Sequence, residues 1–187
     1  MATLQAVHRF THDEVLKMVE AGILTEDDRV ELIDGELVDM SPLGDRHNAF
    51  VDRATRIFVL GLGDRAIVRV QGDLRLNPYS GPMPDLAVLR PRDDFYANGG
   101  AGPADVLLIV EVADSSIVYD TRTKAALYAR HMIPEYWVAD VNGDMAIVHR
   151  EPTPQGYARV FSLRGEEAFS PQAFPDLVAT VDQLFGR

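Results

Sequence analysis

The clearest hydrophobic pattern in the chain is the run from Val106 to Val110, five consecutive apolar residues that are followed by Glu111 and Val112. A continuous apolar run of this length is typical of a strand buried on both faces of a sheet. The other predicted strands are residues 29–33, 36–40, 66–76, 86–89, 135–140, 145–150 and 157–163. These segments predict a central sheet.

Four helices are predicted around this sheet. Thr11 and Glu14 form a capping-box pattern that begins a helix at residues 12–21, and Gly22 ends it. Apolar residues at helical spacing predict a second helix at residues 45–61. The remaining predicted helices are residues 118–131 and a short terminal helix at residues 174–185.

Two dipeptides indicate tight turns between strands. Asp34-Gly35 and Asn142-Gly143 each separate two predicted strands, and both have the composition that two-residue hairpin turns require. No internal repeat and no linker-like segment divides the chain. The pattern therefore predicts an α/β or α+β fold, with one central mixed β-sheet flanked by helices, in a single domain spanning residues 1–187.

Length and composition are those of a globular domain. A chain of 187 residues can bury roughly 70% of the surface that its unfolded form exposes. It contains no cysteine, which excludes disulfides and thiolate zinc sites. Residues 1–10 contain no apolar run of signal-peptide length, and residues 106–110 are too short a run to span a bilayer. We therefore expect a cytoplasmic protein without membrane contact.

The net charge of −11 limits how this protein can contact nucleic acid. Tight sequence-independent binding usually neutralises several phosphates with Lys and Arg, so a protein this acidic is not expected to coat nucleic acid. Any contact must be local. Two arginine groups could supply it: Arg46, Arg53 and Arg56 in one segment, and Arg65, Arg69 and Arg75 in the next. The alternative is that both groups are solvated and balanced by nearby acids.

Two acidic residues lie on apolar strands. Glu111 belongs to the 106–112 strand, and Asp85 opens the 86–89 strand. Two carboxylates about 4 Å apart repel by roughly 4 kcal/mol at an effective dielectric of 20. A divalent cation between them converts this repulsion into coordination, and hard oxygen ligands favour Mg²⁺ or Mn²⁺ over zinc. The alternatives are that Glu111 pairs with an arginine and that Asp85 caps the turn at residues 81–84.

Lys124 is one of only two lysines among the 18 basic residues. Its compact ammonium can orient one water or stabilise charge on a phosphate, and a guanidinium fork is not equivalent. Asp120, Lys124 and Tyr128 are spaced by four, so they share one face of the predicted helix. From that face, Lys124 could reach the end of the Glu111 strand. The alternative is a surface ion pair between Asp120 and Lys124, which would contribute only about 0.3–0.5 kcal/mol.

Taken together, these residues resemble a known family. The segments that carry the resemblance are Glu31 in Val-Glu-Leu-Ile-Asp-Gly-Glu, Pro84-Asp85, Glu111-Val112, Asp120 through Lys124, and Tyr128-Ala129 through Ile133-Pro134-Glu135-Tyr136-Trp137. Their order and spacing resemble the Uma-two (Uma2) family of restriction-endonuclease-like proteins, in the PD-(D/E)XK nuclease superfamily. The resemblance extends over nearly the whole chain and implies a restriction-endonuclease-like core.

The resemblance also implies roles for individual residues. Asp85 and Glu111 would be metal ligands, with the backbone carbonyl of Val112 as a third. Lys124 would be the catalytic lysine and Glu31 an auxiliary acid near the metal. The chain departs from the superfamily pattern in its third motif, because Glu-x-Lys reads Glu111-Val112-Ala113 here. The resemblance therefore implies that the lysine has moved from the strand to the following helix.

Several polar residues are weaker candidates. Gln71 lies at a predicted strand end, where the superfamily often places a polar active-site residue, but such a glutamine is usually solvated. His47, in the first turn of the second helix, could face the cleft or serve local packing. His8 and His12 are four residues apart, but Thr11 as the N-cap places His8 outside the helix and argues against a zinc pair.

The sequence supports two functions. The first is a Mg²⁺- or Mn²⁺-dependent endonuclease-like hydrolase that cleaves phosphodiester bonds of nucleic acid, with DNA as the expected substrate and Glu31, Asp85, Glu111 and Lys124 as its working set. The alternative is a non-catalytic module of the same fold that binds a protein or nucleic-acid partner. A homodimer is also expected, because cleavage of both strands of a duplex needs two sites and one domain offers one.

Overall fold

Residues 7–25 and 27–187 are described by the computed structural model of the chain. The prediction that residues 1–10 contain no signal-peptide run falls partly outside the described part of the chain, because residues 1–6 are not described. The helices are α1 (His12–Glu20), α2 (Asp45–Leu62), α3 (Ile117–Tyr119), α4 (Ala125–Arg130) and α5 (Val181–Phe185). The strands are β1 (Val30–Ile33), β2 (Glu36–Asp39), β3 (Ile67–Val70), β4 (Leu86–Leu89), β5 (Val106–Ala113), β6 (Glu135–Asp140), β7 (Met145–Thr153), β8 (Gly156–Leu163), β9 (Ala168–Phe169) and β10 (Ala179–Thr180).

Six strands form the central sheet, in the order β3-β4-β5-β6-β7-β8. Only the β5–β6 pair is parallel, and the other four neighbouring pairs are antiparallel. The parallel pair needs a long crossover, which α3 and α4 provide between β5 and β6. The predicted fold class, a mixed central sheet flanked by helices, is thereby confirmed.

Side chains of β5 alternate between two hydrophobic layers. Leu108 and Val110 pack in the layer that contains α2, whereas Ile109 and Ala113 pack in the layer that contains α4. Because successive side chains of a strand point to opposite faces, Glu111 shares its face with Ile109 and Ala113. The pleat of a fully buried strand therefore directs this carboxylate toward the α4 side of the sheet.

Helix α2 covers the opposite face of the sheet. Phe50, Ala54 and Phe58 recur every four residues, form one apolar stripe and are fully buried. Burying each phenylalanine contributes roughly 1.5–3 kcal/mol relative to an exposed ring. The Phe58 ring lies 6.0 Å from that of Trp137 on β6, so α2 packs directly on the central sheet.

Two local predictions near the N-terminus are confirmed. The Thr11 hydroxyl accepts a hydrogen bond from the Glu14 backbone N–H, and the Glu14 side chain accepts one from the Thr11 N–H, which completes the capping box of α1. Asp34 and Gly35 both have positive φ, 52° and 81°, and close the β1–β2 hairpin. Both positive angles are what a type I′ turn requires.

The predicted strand at residues 66–76 is wrong beyond Val70. Gln71 adopts a left-handed φ of 46°, which ends β3. The following segment leaves the sheet and makes its backbone hydrogen bonds elsewhere, with Leu74 N–H donating to the Pro82 carbonyl and Arg75 N–H to that of Ala101. The apolar alternation in this segment arises because Leu74 and Leu76 pack under the sheet rather than within it.

The predicted terminal helix is also too long. It begins at Val181 instead of Phe174, because Thr180 is its N-cap and forms a capping box with Gln183. Immediately before it, Ala179 and Thr180 pair with β9. A capping box directly ahead of the helix was the sequence signal that would have placed this boundary correctly.

The predicted helix at residues 118–131 contains a local irregularity. It extends from Ile117 to Arg130, but residues Asp120–Lys124 form a π-helical turn between α3 and α4. Such turns are rare in proteins and occur frequently at functional sites. This turn carries Lys124 and buries it together with Asp120. In the part of the chain that is described, no helix has the length and apolar character required to cross a bilayer.

Candidate active site

Asp85 immediately precedes the first residue of β4, where the strand meets the loops of the site. The register of β4 and β5 pairs Leu86 with Val110, so continuing it by one residue places Asp85 opposite Glu111. The carboxylate is buried, and its Oδ2 accepts a hydrogen bond from the Val112 N–H at 2.8 Å. The sheet therefore fixes Asp85 directly beside Glu111. The proposed role of Asp85 as the cap of the turn at residues 81–84 finds no matching hydrogen bond among the described residues.

Glu111 is buried and bound by two donors from the crossover helix. Its Oε1 accepts hydrogen bonds from Lys124 Nζ at 2.9 Å and from the Tyr128 hydroxyl at 2.8 Å. Burial raises the pKa of Glu111 well above its usual value, Lys124 opposes this shift, and the charges of Asp85 and Glu31 add to it. The partner of Glu111 is therefore the lysine, so the alternative of an arginine partner is wrong.

Lys124 reaches the strand from its position on the π-helical turn. Its Nζ lies 2.9 Å from Glu111 Oε1 and 3.0 Å from Glu31 Oε2, and the side chain is buried. Burial alone would lower the pKa of Lys124, but the carboxylates of Glu111 and Glu31 outweigh burial and raise it. The ammonium consequently stays charged inside the site.

The alternative of a surface ion pair between Asp120 and Lys124 is wrong. Both residues are buried, and the Asp120 carboxylate accepts a hydrogen bond from the Ser116 hydroxyl at 2.5 Å. Burial raises the pKa of Asp120, and the hydrogen bond from Ser116 partly opposes this shift. Asp120 is thus part of the acidic interior of the site.

Glu31 connects the β1–β2 hairpin to the site. Its side chain is buried on β1, and its Oε1 accepts a hydrogen bond from the Met83 backbone N–H at 2.7 Å. The same carboxylate binds Lys124. Glu31 therefore holds both the ammonium and the loop that leads into Asp85. The four residues of the expected working set, Glu31, Asp85, Glu111 and Lys124, lie together.

His47 and Gln71 also contact Asp85, which the sequence did not establish. His47 Nε2 lies 3.0 Å from Asp85 Oδ1, and Gln71 Nε2 lies 3.5 Å from the same oxygen. Burial lowers the pKa of His47, but the hydrogen bond and the charge of Asp85 outweigh burial and raise it. The signals were weak: a histidine in a first helical turn, and a glutamine at a strand end.

The four residues of the expected working set and His47 line a cavity of about 310 Å³ between the sheet, the hairpin and the π-helical turn. Six carboxylate side chains face one lysine and one histidine across it, so its interior carries an excess of negative charge. The titratable residues that line it are Glu31, Asp39, His47, Asp85, Glu111, Asp114, Asp120, Tyr119 and Lys124. A cavity of this composition suits a cation better than a free anion.

A protein-family profile matches most of the chain. The profile of the Uma2 family, described as "Putative restriction endonuclease", matches residues 13–182. The chain belongs to the Uma2 family. The predicted resemblance is thereby confirmed, and the family description gives the protein a nuclease-like character.

Solved structures agree with this fold assignment. The chain is similar to a putative nuclease of DUF820 from Anabaena variabilis, with a TM-score of 0.72 and 16% sequence identity. The match covers 95% of this chain and 98% of that protein. At this identity the likeness concerns the fold alone. No curated protein was found to match the chain.

Within residues 7–25 and 27–187, no group of three or more His, Asp and Glu side chains converges to hold a metal ion. His8 and His12 belong to no such group, and His8 Nε2 lies 3.4 Å from Glu14 Oε1 at the surface.

Proposed function

We propose that this protein is a divalent-metal-dependent hydrolase that cleaves phosphodiester bonds of nucleic acid. The observation that carries the proposal is the position of Lys124, whose Nζ lies 2.9 Å from Glu111 Oε1 although the lysine comes from a helix. Asp85 is the cross-strand neighbour of Glu111. The three side chains expected of a PD-(D/E)XK-type site are therefore adjacent despite the missing strand lysine. Membership of the Uma2 family supports the same function.

The chemistry of the donor set fits a hard divalent cation. Asp85 and Glu111 offer carboxylate oxygens on neighbouring strands, and oxygen donors favour Mg²⁺ or Mn²⁺. Burial and the nearby carboxylates raise the pKa of Glu111, so a bound cation would compensate an excess of buried negative charge. We propose Asp85 and Glu111 as ligands, with the Val112 carbonyl as a third.

Each residue then has a separate task. A divalent ion here would lower the pKa of a bound water and offset charge developing on the phosphate. Lys124 donates hydrogen bonds to the attacking water or to a phosphate oxygen, and Glu31 keeps its ammonium in place as the auxiliary acid. His47 and Gln71 hold Asp85 by its Oδ1. The substrate contact is expected to be local, and we propose DNA by analogy with the family description.

The experiment that tests this function measures cleavage and metal binding on the same protein. Supercoiled plasmid DNA and labelled single-stranded DNA and RNA are incubated with Mg²⁺, Mn²⁺ or EDTA, and Mn²⁺ binding is followed by calorimetry. We expect cleavage that EDTA abolishes. Asp85→Asn, which keeps the shape of the side chain, should weaken Mn²⁺ binding by at least about 10- to 100-fold, because it removes a charged ligand.

Asp13→Asn is the matched control, because it removes one carboxylate from the exposed surface of α1. It should leave metal affinity and cleavage unchanged, whereas a loss in both variants would indicate an effect of net charge alone. Negligible binding heat and no cleavage in the wild-type protein would contradict the proposal.

A non-catalytic binding module is the second candidate function. It is favoured by the pairing of Lys124 with both Glu111 and Glu31, since this cluster compensates buried charge without any metal. The net charge of −11 is consistent with a protein partner rather than a long nucleic-acid contact. Stable binding of a nucleic acid or a protein without metal, and without cleavage, would favour this module.

We also propose a homodimer as the working assembly. Cleavage of both strands of a duplex needs two sites, and the chain provides one candidate site. Light scattering at micromolar concentration should give a mass of about twice 20.7 kDa. A monomer mass would contradict the dimer and leave cleavage of single strands as the expected activity.

A further inference from the structure

Tyr128 is a buried residue of α4 that contacts the site but has no role in the proposed reaction so far. Its hydroxyl donates a hydrogen bond to Glu111 Oε1 at 2.8 Å, the same oxygen that binds Lys124 Nζ. One oxygen of Glu111 therefore has two donors. Among the described residues, no donor is hydrogen-bonded to Oε2, and Glu111 lines the cavity.

This arrangement fixes the direction of the carboxylate. A carboxylate that is held by one oxygen can present the other in a constant orientation, and hydrogen bonds of this kind commonly orient metal ligands in proteins. Both donors also favour the ionised form of Glu111, against the effect of burial. The Tyr128 hydroxyl therefore orients Glu111 and favours its ionised form, and a phenylalanine ring at this position would do neither.

The position of the Tyr128 hydroxyl is itself constrained. The ring is fully buried and lies 4.8 Å from the ring of Tyr136, which lies 5.2 Å from His149. Tyr128 on α4 is four residues after Lys124, the last residue of the π-helical turn, so consecutive helical turns bring both donors to Glu111. The ring therefore cannot move away without disturbing the core beneath the sheet.

We propose that Tyr128 is a positioning residue that fixes Glu111 for metal binding, with Oε1 bound to Tyr128 and Lys124 and Oε2 directed to the cavity. The proposal rests on the proposed function, because it concerns the metal ligand of that reaction. Tyr128 acts through Glu111 and does not touch the substrate. The helix that supplies Lys124 thus also sets the geometry of the ligand that Lys124 contacts.

The test compares Tyr128→Phe with Tyr157→Phe, which loses an equivalent hydroxyl in the same aromatic cluster. The Tyr157 hydroxyl donates to the Ile133 carbonyl at 3.0 Å and is not hydrogen-bonded to Glu111. Calorimetry with Mn²⁺ should give a dissociation constant about 10-fold or more higher for Tyr128→Phe and unchanged for Tyr157→Phe. Thermal unfolding of both variants checks that the fold is retained.

Tyrosine absorption provides a second measurement that does not depend on turnover. Mn²⁺ binding to the wild type should perturb the near-ultraviolet tyrosine spectrum, because the charge next to the Tyr128 hydroxyl changes. Because Tyr119 also lines the cavity, the perturbation should shrink in Tyr128→Phe to the part that Tyr119 contributes, and it should keep its wild-type size in Tyr157→Phe. Should Tyr128→Phe fail to fold, the wild-type and Tyr157→Phe spectra still decide, since a metal-bound protein with an unperturbed tyrosine spectrum overturns the positioning role.

The outcomes separate this inference from the function on which it rests. Equal Mn²⁺ affinity in wild type and Tyr128→Phe overturns the positioning role and leaves the metal site intact. Equal weakening in both phenylalanine variants also overturns it, because general packing would then explain the loss. A wild-type protein that binds no Mn²⁺ overturns the proposed function itself.

Discussion

Replacing Lys124 by methionine is expected to lower the turnover of metal-dependent cleavage by two to three orders of magnitude, roughly 2.7–4 kcal/mol of transition-state stabilisation. The ammonium is the only cation within hydrogen-bonding distance of Glu111 in the described part of the chain. The substitution also leaves Glu31 and Glu111 buried without their shared partner. Single-turnover rates with saturating metal, measured beside the thermal unfolding temperature, separate these two effects.

Two further variants define the control for this prediction. Lys124→Arg keeps a positive charge between Glu31 and Glu111, so it should retain most of the stability that methionine loses, but it should restore little turnover because a guanidinium fork differs in shape from an ammonium. Lys17→Met removes the other lysine, which is exposed on α1, and should behave as wild type. Wild-type cleavage by Lys124→Met would contradict the catalytic role.

Much of the site could be predicted because strand geometry determines it. Continuous apolar runs predicted β4 and β5, and antiparallel pairing then places Asp85 opposite Glu111. The contact between Lys124 and Glu111 could not be predicted as firmly, because it depends on a π-helical turn that has no simple sequence signal. The spacing of four between Asp120 and Lys124 equally allowed a surface ion pair.

The contacts around Asp85 could not be predicted because they depend on long-range packing. Gln71 itself has the left-handed φ that ends β3, and in this conformation its side chain reaches the Asp85 carboxylate. The pattern instead predicted a continuous strand through this position. His47 comes from a helix on the other face of the sheet. Nothing in its local sequence distinguishes it from a histidine that packs at a helix end.

One motif of the family resemblance has a structural role. In Pro134-Glu135-Tyr136-Trp137, the Trp137 ring packs 4.8 Å from Phe169, and the Tyr136 hydroxyl donates to the Asp120 carbonyl at 3.1 Å. Neither side chain lines the cavity. These two side chains of the motif therefore belong to the framework that holds β6 against the π-helical turn, while Lys124 and the two strand carboxylates carry the proposed chemistry.

Glu135 is the residue of this motif whose loss should affect stability most. It is fully buried, and its Oε1 accepts hydrogen bonds from Trp137 Nε1 at 2.9 Å and from Arg150 Nε at 2.7 Å. Its Oε2 accepts a hydrogen bond from the Gln172 backbone N–H at 2.5 Å. The carboxylate thus connects two strands of the sheet to the segment that precedes the C-terminal helix.

Glu135→Ala is therefore expected to lower the free energy of unfolding by roughly 3–5 kcal/mol, because it leaves the half-buried Arg150 guanidinium, the buried Trp137 Nε1–H and the Gln172 backbone N–H without the carboxylate that accepts from them. Denaturant unfolding of the metal-free protein measures the change without reference to activity. Glu166→Ala, which removes an exposed carboxylate, is the matched control and should change stability by less than about 0.5 kcal/mol. If the two alanine variants unfold at the same denaturant concentration, the Glu135 contacts contribute no net stability, and the Pro-Glu-Tyr-Trp motif requires another physical explanation.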